Sequence, residues 1–132
     1  TLIPIPNLPL LPLKVTKYAT SYAGIHTCFM TYIFHFFTIQ NTGATELESW
    51  QMNLMDDTLG TGHALYSDET FSLSPACLSP VVSKIDPGGS AVIGVKEYSN
   101  ITGHNMTATF KICTADGLGG VCVNKSVSFV AE

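Results

Sequence analysis

Clusters of turn-forming residues cut this chain into short pieces, and that spacing restricts its fold more than any other feature. Asn41-Thr42-Gly43, Asp56-Asp57-Thr58-Leu59-Gly60, Asp86-Pro87-Gly88-Gly89 and Asp116-Gly117 separate runs rich in Thr, Val, Ile, Phe or Tyr. Such runs suit a pleated, half-buried surface, and such clusters suit chain reversals. The runs are Val15 to Tyr22, Cys28 to Gln40, Glu46 to Met55, Glu69 to Leu73, Ser90 to Tyr98, Asn105 to Cys113 and Val121 to Val130. In the last, Val121, Val123, Val127 and Phe129 interleave with Cys122, Asn124, Ser126 and Ser128, so the two sets fall on opposite faces of a strand. No segment carries a long helical apolar period with caps. About seven strands at near-regular spacing predict an all-β, single immunoglobulin-like β-sandwich.

The 132 residues fit one domain of the usual ~100–150. Net charge is −4, and 12% of residues are charged against 45% hydrophobic. The acidic balance excludes an ordinary basic nucleic-acid surface. The apolar content excludes disorder. A chain this poor in charge needs another cover for its surface, either covalent glycans or copies of itself. The longest apolar run, Cys28 to Ile39, is too short to cross a ~30 Å bilayer core as a helix. It reads as a buried strand, and no membrane span is expected. The chain begins at Thr1 without Met or signal peptide, which reads as a product whose leader is gone or not included.

Cys28, Cys77, Cys113 and Cys122 form no CxxC pair, so a zinc site is not expected. Their even number points to disulfides and a secreted, extracellular setting. Among the pairings that four cysteines allow, Cys113–Cys122 is favoured, because Ala115 to Gly120 between them reads as a hairpin turn. Cys28–Cys77 remains as the second, and buried free thiols are the alternative. Sequons at Asn100, Asn105 and Asn124 agree with secretion and mark candidate glycosylation sites.

The first thirteen residues differ from the rest. They hold four of the seven prolines, Pro4, Pro6, Pro9 and Pro12, and no charge before Lys14. Leu2, Ile3, Ile5, Leu8, Leu10, Leu11 and Leu13 supply the other bulk. Proline keeps such a segment extended. Burying its seven Leu and Ile side chains is worth at most about 10–20 kcal/mol, and in water it would be a strong association site. Pro4, Pro6 and Pro12 share one parity, so one edge of an extended strand loses three donors while the other loses only that of Pro9. The segment can therefore pair along one side. Extended, it spans about 40 Å, enough to cross a compact domain roughly 35 Å wide. These properties predict residues 1–13 as an arm and 14–132 as the sandwich. The arm would insert into an apolar groove of a neighbouring subunit, lined by Phe29 to Ile39 and Val121 to Val130. Such a contact is heterologous and propagates into a helical homo-polymer unless it closes a ring. Packing in cis and service as a linker are the alternatives. The architecture is similar to that of extracellular fibre and pilus subunits joined by donor-strand contacts.

Phe37 to Gly43, followed by Leu47-Glu48-Ser49-Trp50-Gln51-Met52, resembles the early strands of family-two cellulose-binding modules and their plant relatives. Ile85 to Gly94 is similar to their Pro-Gly turn and following strand, and the likeness spans about half the chain. The resemblance implies a sandwich with Trp50 buried, and a polysaccharide-binding module as the alternative function. Those modules bind through several exposed aromatics, whereas this chain has one Trp. Tyr18 and Tyr22 would have to serve instead.

No catalytic constellation is legible, so the chain is not read as an enzyme and no cofactor is expected. His35 lies in the apolar run and reads as a core residue. His26-Thr27-Cys28 would lose its thiolate to a disulfide. Asp56-Asp57 reads as turn chemistry; a Ca²⁺ site shared with Asp68 would lack a spaced oxygen-ligand motif.

Overall fold

Alternating and β-branched runs become strands that each turn one face inward, and the turn clusters set where they end. The computed structural model describes residues 12–17, 33–74, 78–97 and 100–131. Among them are nine strands: β1 Leu13–Lys17, β2 Ile33–Asn41, β3 Ser49–Asp56, β4 Thr61–Asp68, β5 Phe71–Ser72, β6 Val81–Val82, β7 Ser90–Glu97, β8 Asn105–Ala115 and β9 Gly119–Val130. A 3-10 turn at Asp116–Leu118 joins the last two.

The strands form two antiparallel sheets, ordered β1-β2-β7-β5-β6 and β4-β3-β8-β9. This is the immunoglobulin-type Greek-key order, with β4 added to the second sheet as the hairpin partner of β3. The core lies between the sheets, where Phe37, Ile39 and Ile93 meet Met52, Phe110 and Ile112. Phe37 packs edge-on against Phe110 and Phe129, with ring centroids 4.9 and 5.7 Å apart. His35 is inside as well, 1% exposed, its ring tilted against Phe129, in keeping with a core role. At the seam between β1 and β9, the Lys17 ammonium lies 5.1 Å from the Phe129 ring centre, a distance suited to a cation–π contact.

The first sheet also has an apolar outer face. Phe34 and Phe36 point away from the sandwich, stacked with centroids 5.9 Å apart. With Val92 they form a second buried cluster, against which Leu78 packs. Leu78 fits closely over Gly94, where a Cβ would come within 2.7 Å of a Leu78 methyl carbon.

Each of the seven expected runs contains a strand, and the described residues hold two more, β4 and β6. The addition of β4 has a physical reason: it is an edge strand, exposed along most of its length, held by its ladder to β3 and by Ala64 and Tyr66, which are only partly buried against the core, too short an apolar alternation for the sequence to reveal. The short β6 is the other addition. The run expected from Val15 begins at Leu13 and is described to Lys17. Residues 1–11, Tyr18, Tyr22, Cys28 and Cys77 lie outside the described residues, so the arm's path and the Cys28–Cys77 pairing do too.

Candidate functional site

The described chain begins at the last two residues of the apolar N-terminal segment. Pro12 and Leu13 belong to the sandwich: Leu13 opens β1, is 6% exposed and pairs with Asn41. Thr42 N–H donates to the Pro12 carbonyl at 3.2 Å. The Pro12 ring rests on Gly43, where a Cβ would lie 3.0 Å from Pro12 Cδ, so a larger residue would displace Pro12. Asn41 fixes the turn beneath. Its Nδ2 donates to the carbonyls of Thr45 (2.8 Å) and Ile85 (3.1 Å), and its Oδ1 accepts from Gly43 N–H (3.1 Å). The Asn-Thr-Gly sequence thus serves as a turn and as the seat of Pro12. Residues Leu2 to Leu11 are not described.

The same end of the molecule carries the disulfide. Cys113 and Cys122 are bonded, their Cα atoms 4.1 Å apart across β8 and β9, as the hairpin reading predicted. Gly120 permits the tight return: its φ is +71° and a Cβ there would collide with Thr114 Oγ1. The 3-10 turn is tied to β3 by Ser49, whose Oγ donates to the Ala115 carbonyl (2.6 Å) and accepts from Leu118 N–H (3.0 Å). Between this turn and the end of β4 lies a cleft of about 370 Å³, lined by Ser49, Trp50, Ser67, Asp68, Glu69, Gly117 and Leu118. Several of its polar groups are engaged within the fold. Asp68 Oδ1 accepts from Glu69 N–H and Thr70 Oγ1. Trp50 is 5% exposed, and its indole N–H donates to the Thr70 carbonyl at 2.9 Å. Trp50 is therefore the buried residue that the cellulose-module likeness implied.

At the opposite end, Asp56 is buried with His104 Nδ1 at 2.7 Å from its Oδ2. Its other oxygen accepts from Leu59 N–H at 3.0 Å. Burial alone would raise the Asp56 pKa. The hydrogen bonds from His104 and from the Leu59 and Thr58 N–H groups, with the nearby imidazole charge, outweigh it and hold the carboxyl below its ordinary range. Thr58 Oγ1 accepts from Asn105 N–H at 2.7 Å, and the Thr107 hydroxyl donates to Asp57. The group ties the β3–β4 turn to the entry of β8, which is the turn chemistry expected of Asp56-Asp57. The calcium combination is not assembled: Asp56 pairs with Thr61 at one end of the β3–β4 hairpin and Asp68 with Trp50 at the other. Among the described residues no group of three or more His, Cys, Asp or Glu could hold a metal ion, and no helix is long and apolar enough to cross a membrane.

All three sequon asparagines have exposed side chains. Asn100 lies in the loop before β8, its Oδ1 accepting from Thr102 N–H at 3.2 Å. Asn105 opens β8, and Asn124 is on β9. Asn105 and Asn124 share one outward face; the sequence places Asn124, Ser126 and Ser128 together on their strand, but not the β8 residues beside them. That face bears hydroxyl pairs across the two strands, Thr107 with Ser128 at 3.2 Å and Thr109 with Ser126 at 3.0 Å. The signal was present: in N-x-S/T within a strand, the asparagine and the hydroxyl fall on one face.

No family model and no curated protein matches the chain. Among solved structures, it is similar to Bacteroides uniformis beta-glucuronidase 2 covalently bound to cyclophellitol-6-carboxylate aziridine. The match has a TM-score of 0.44 and 5% sequence identity, and covers 90% of this chain but only 13% of that one. The fold is a two-sheet all-β sandwich.

Proposed function

We propose that the chain is a structural subunit of an extracellular, glycosylated helical fibril, joined head to tail through its N-terminal arm. The observation that carries this reading is the seat of Pro12. The apolar, chargeless segment starts from one end of the sandwich, at an edge strand, braced by Thr42 and Gly43. A segment rooted there can reach a neighbour stacked on that end, and a contact between an arm and a different surface of the next copy repeats without closing on itself. The alternating loss of donors favours pairing along one edge. The disulfide suits an oxidising exterior. The polysaccharide-module alternative gains no support from the described aromatics, which are buried or half-buried and offer no flat exposed platform.

The test is removal of residues 1–11, which leaves Pro12, Leu13 and β1 in place. The full chain should sediment as filaments and the shortened chain as a monomer with the same circular dichroism. Equal sedimentation of the two would overturn the proposal.

A further inference from the structure

The outer face of the second sheet differs from every other surface described. Along β8, Met106, Ala108, Phe110 and Ile112 point into the core, so Asn105, Thr107, Thr109 and Lys111 point out. Register places Val130, Ser128, Ser126 and Asn124 of β9 beside them in turn. Thr107–Ser128 and Thr109–Ser126 form two hydroxyl rungs. Asn105 and Asn124 stand at opposite corners of this strip, six residues apart in register, or about 20 Å along the strands. Both side chains are exposed.

We propose that this strip is a glycan-bearing face, with N-linked oligosaccharides on Asn105 and Asn124 covering the hydroxyl rungs between them. In each sequon the hydroxyl two residues on, Thr107 or Ser126, projects from the same face as its asparagine, and both rungs between the two attachment points are hydroxyl pairs, with the exposed Val130 beside Asn105 as the apolar member of the strip. The donor is a lipid-pyrophosphate-linked oligosaccharide. The Asn Nδ2 forms a bond to the anomeric carbon, the bond from that carbon to pyrophosphate oxygen breaks, and the amide proton leaves with the lipid pyrophosphate. The sugars supply hydration that a chain with 12% charged residues lacks. The inference deepens the extracellular, glycosylated part of the proposed function, on which it rests, and is independent of polymerisation.

The full chain, secreted from a eukaryotic cell line, is treated with peptide N-glycosidase in heavy-oxygen water, and its peptides are read by mass spectrometry. Asn105 and Asn124 should both appear as heavy-labelled Asp, and Asn105→Gln and Asn124→Gln should each remove one glycan from the intact mass. An unlabelled residue at either position overturns the proposal. The chain lacking residues 1–11 should show the same labelling. Loss of filaments with labelling intact, or labelling absent with filaments intact, separates failure of one reading from failure of the other.

Discussion

The two outer faces of this sandwich obey the same alternation and arrive at opposite surfaces. On the first sheet, Phe34, Phe36 and Val92 point away from the core yet are only 9%, 2% and 6% exposed. On the second sheet, Asn53, Ser126 and Asn124 occupy equivalent outward positions and are exposed. Outward does not therefore mean wet in this chain. The first sheet is apolar on both sides and needs a cover, of which Leu78 is the described part. The second sheet is apolar on one side only and keeps its hydroxyls and amides in water. A scarcity of charge in the sequence thus resolves into one face that behaves as an additional small core and one whose hydroxyls and amides outnumber its charges, Lys111 being the cation of the β8–β9 strip.

The largest effect should come from treating the covered face as if it were exposed. Phe36→Ala should cost about 3–5 kcal/mol, as much as Phe37→Ala between the sheets, measured by urea unfolding. A cost below about 1 kcal/mol for Phe36→Ala would break the comparison. The next effect belongs to the polar sheet, which has a covalent tie at its arm-side end. Replacing Cys113 and Cys122 together by Ser should cost about 2–3 kcal/mol for a bridge spanning nine residues, with faster hydrogen exchange confined to Ala115–Val121.

Acid sharpens the contrast between the two ends of the same sheet. The Asp56 carboxyl is held below its ordinary range in the fold, so the unfolded chain binds that proton more readily. The stabilisation from Asp56 is complete above the unfolded value of about 3.9 and is lost as pH falls through the lower folded value. A pH series of unfolding midpoints should show a downward limb below about pH 4 that Asp56→Asn reduces. The smallest change should follow Thr109→Val with Ser126→Val. Removing that 3.0 Å rung should shift stability by no more than about 0.5 kcal/mol, because water solvates both hydroxyls once the fold opens.

The turn clusters made the sandwich legible. Asn41-Thr42-Gly43 and Asp56 to Gly60 end β2 and β3 where the sequence places them, and the hairpin between Cys113 and Cys122 fixed a disulfide. What stayed hidden depended on neighbours. The β4 strand has too little apolar alternation to be seen without β3 beside it. The apolar outer face of β2 could not be told from its inner face, because a run buried on both sides shows no period. Asp56 and His104 lie 48 positions apart, and no local pattern joins them. The hydroxyl rungs exist only once the β8–β9 register is set. The N-terminal segment is the reverse case: its composition is plain in the sequence, and the structure describes it from Pro12, where Pro12 and Leu13 join the sandwich.

That anchor carries a mechanical consequence. Because Pro12 leads directly into β1, tension drawn lengthwise through the segment ahead of it would reach the domain in line with that strand. The hydrogen bonds from Leu13–Lys17 to Phe37–Asn41 run crosswise to the strands and would share such a load simultaneously, resisting slippage together instead of parting one after another like a zip.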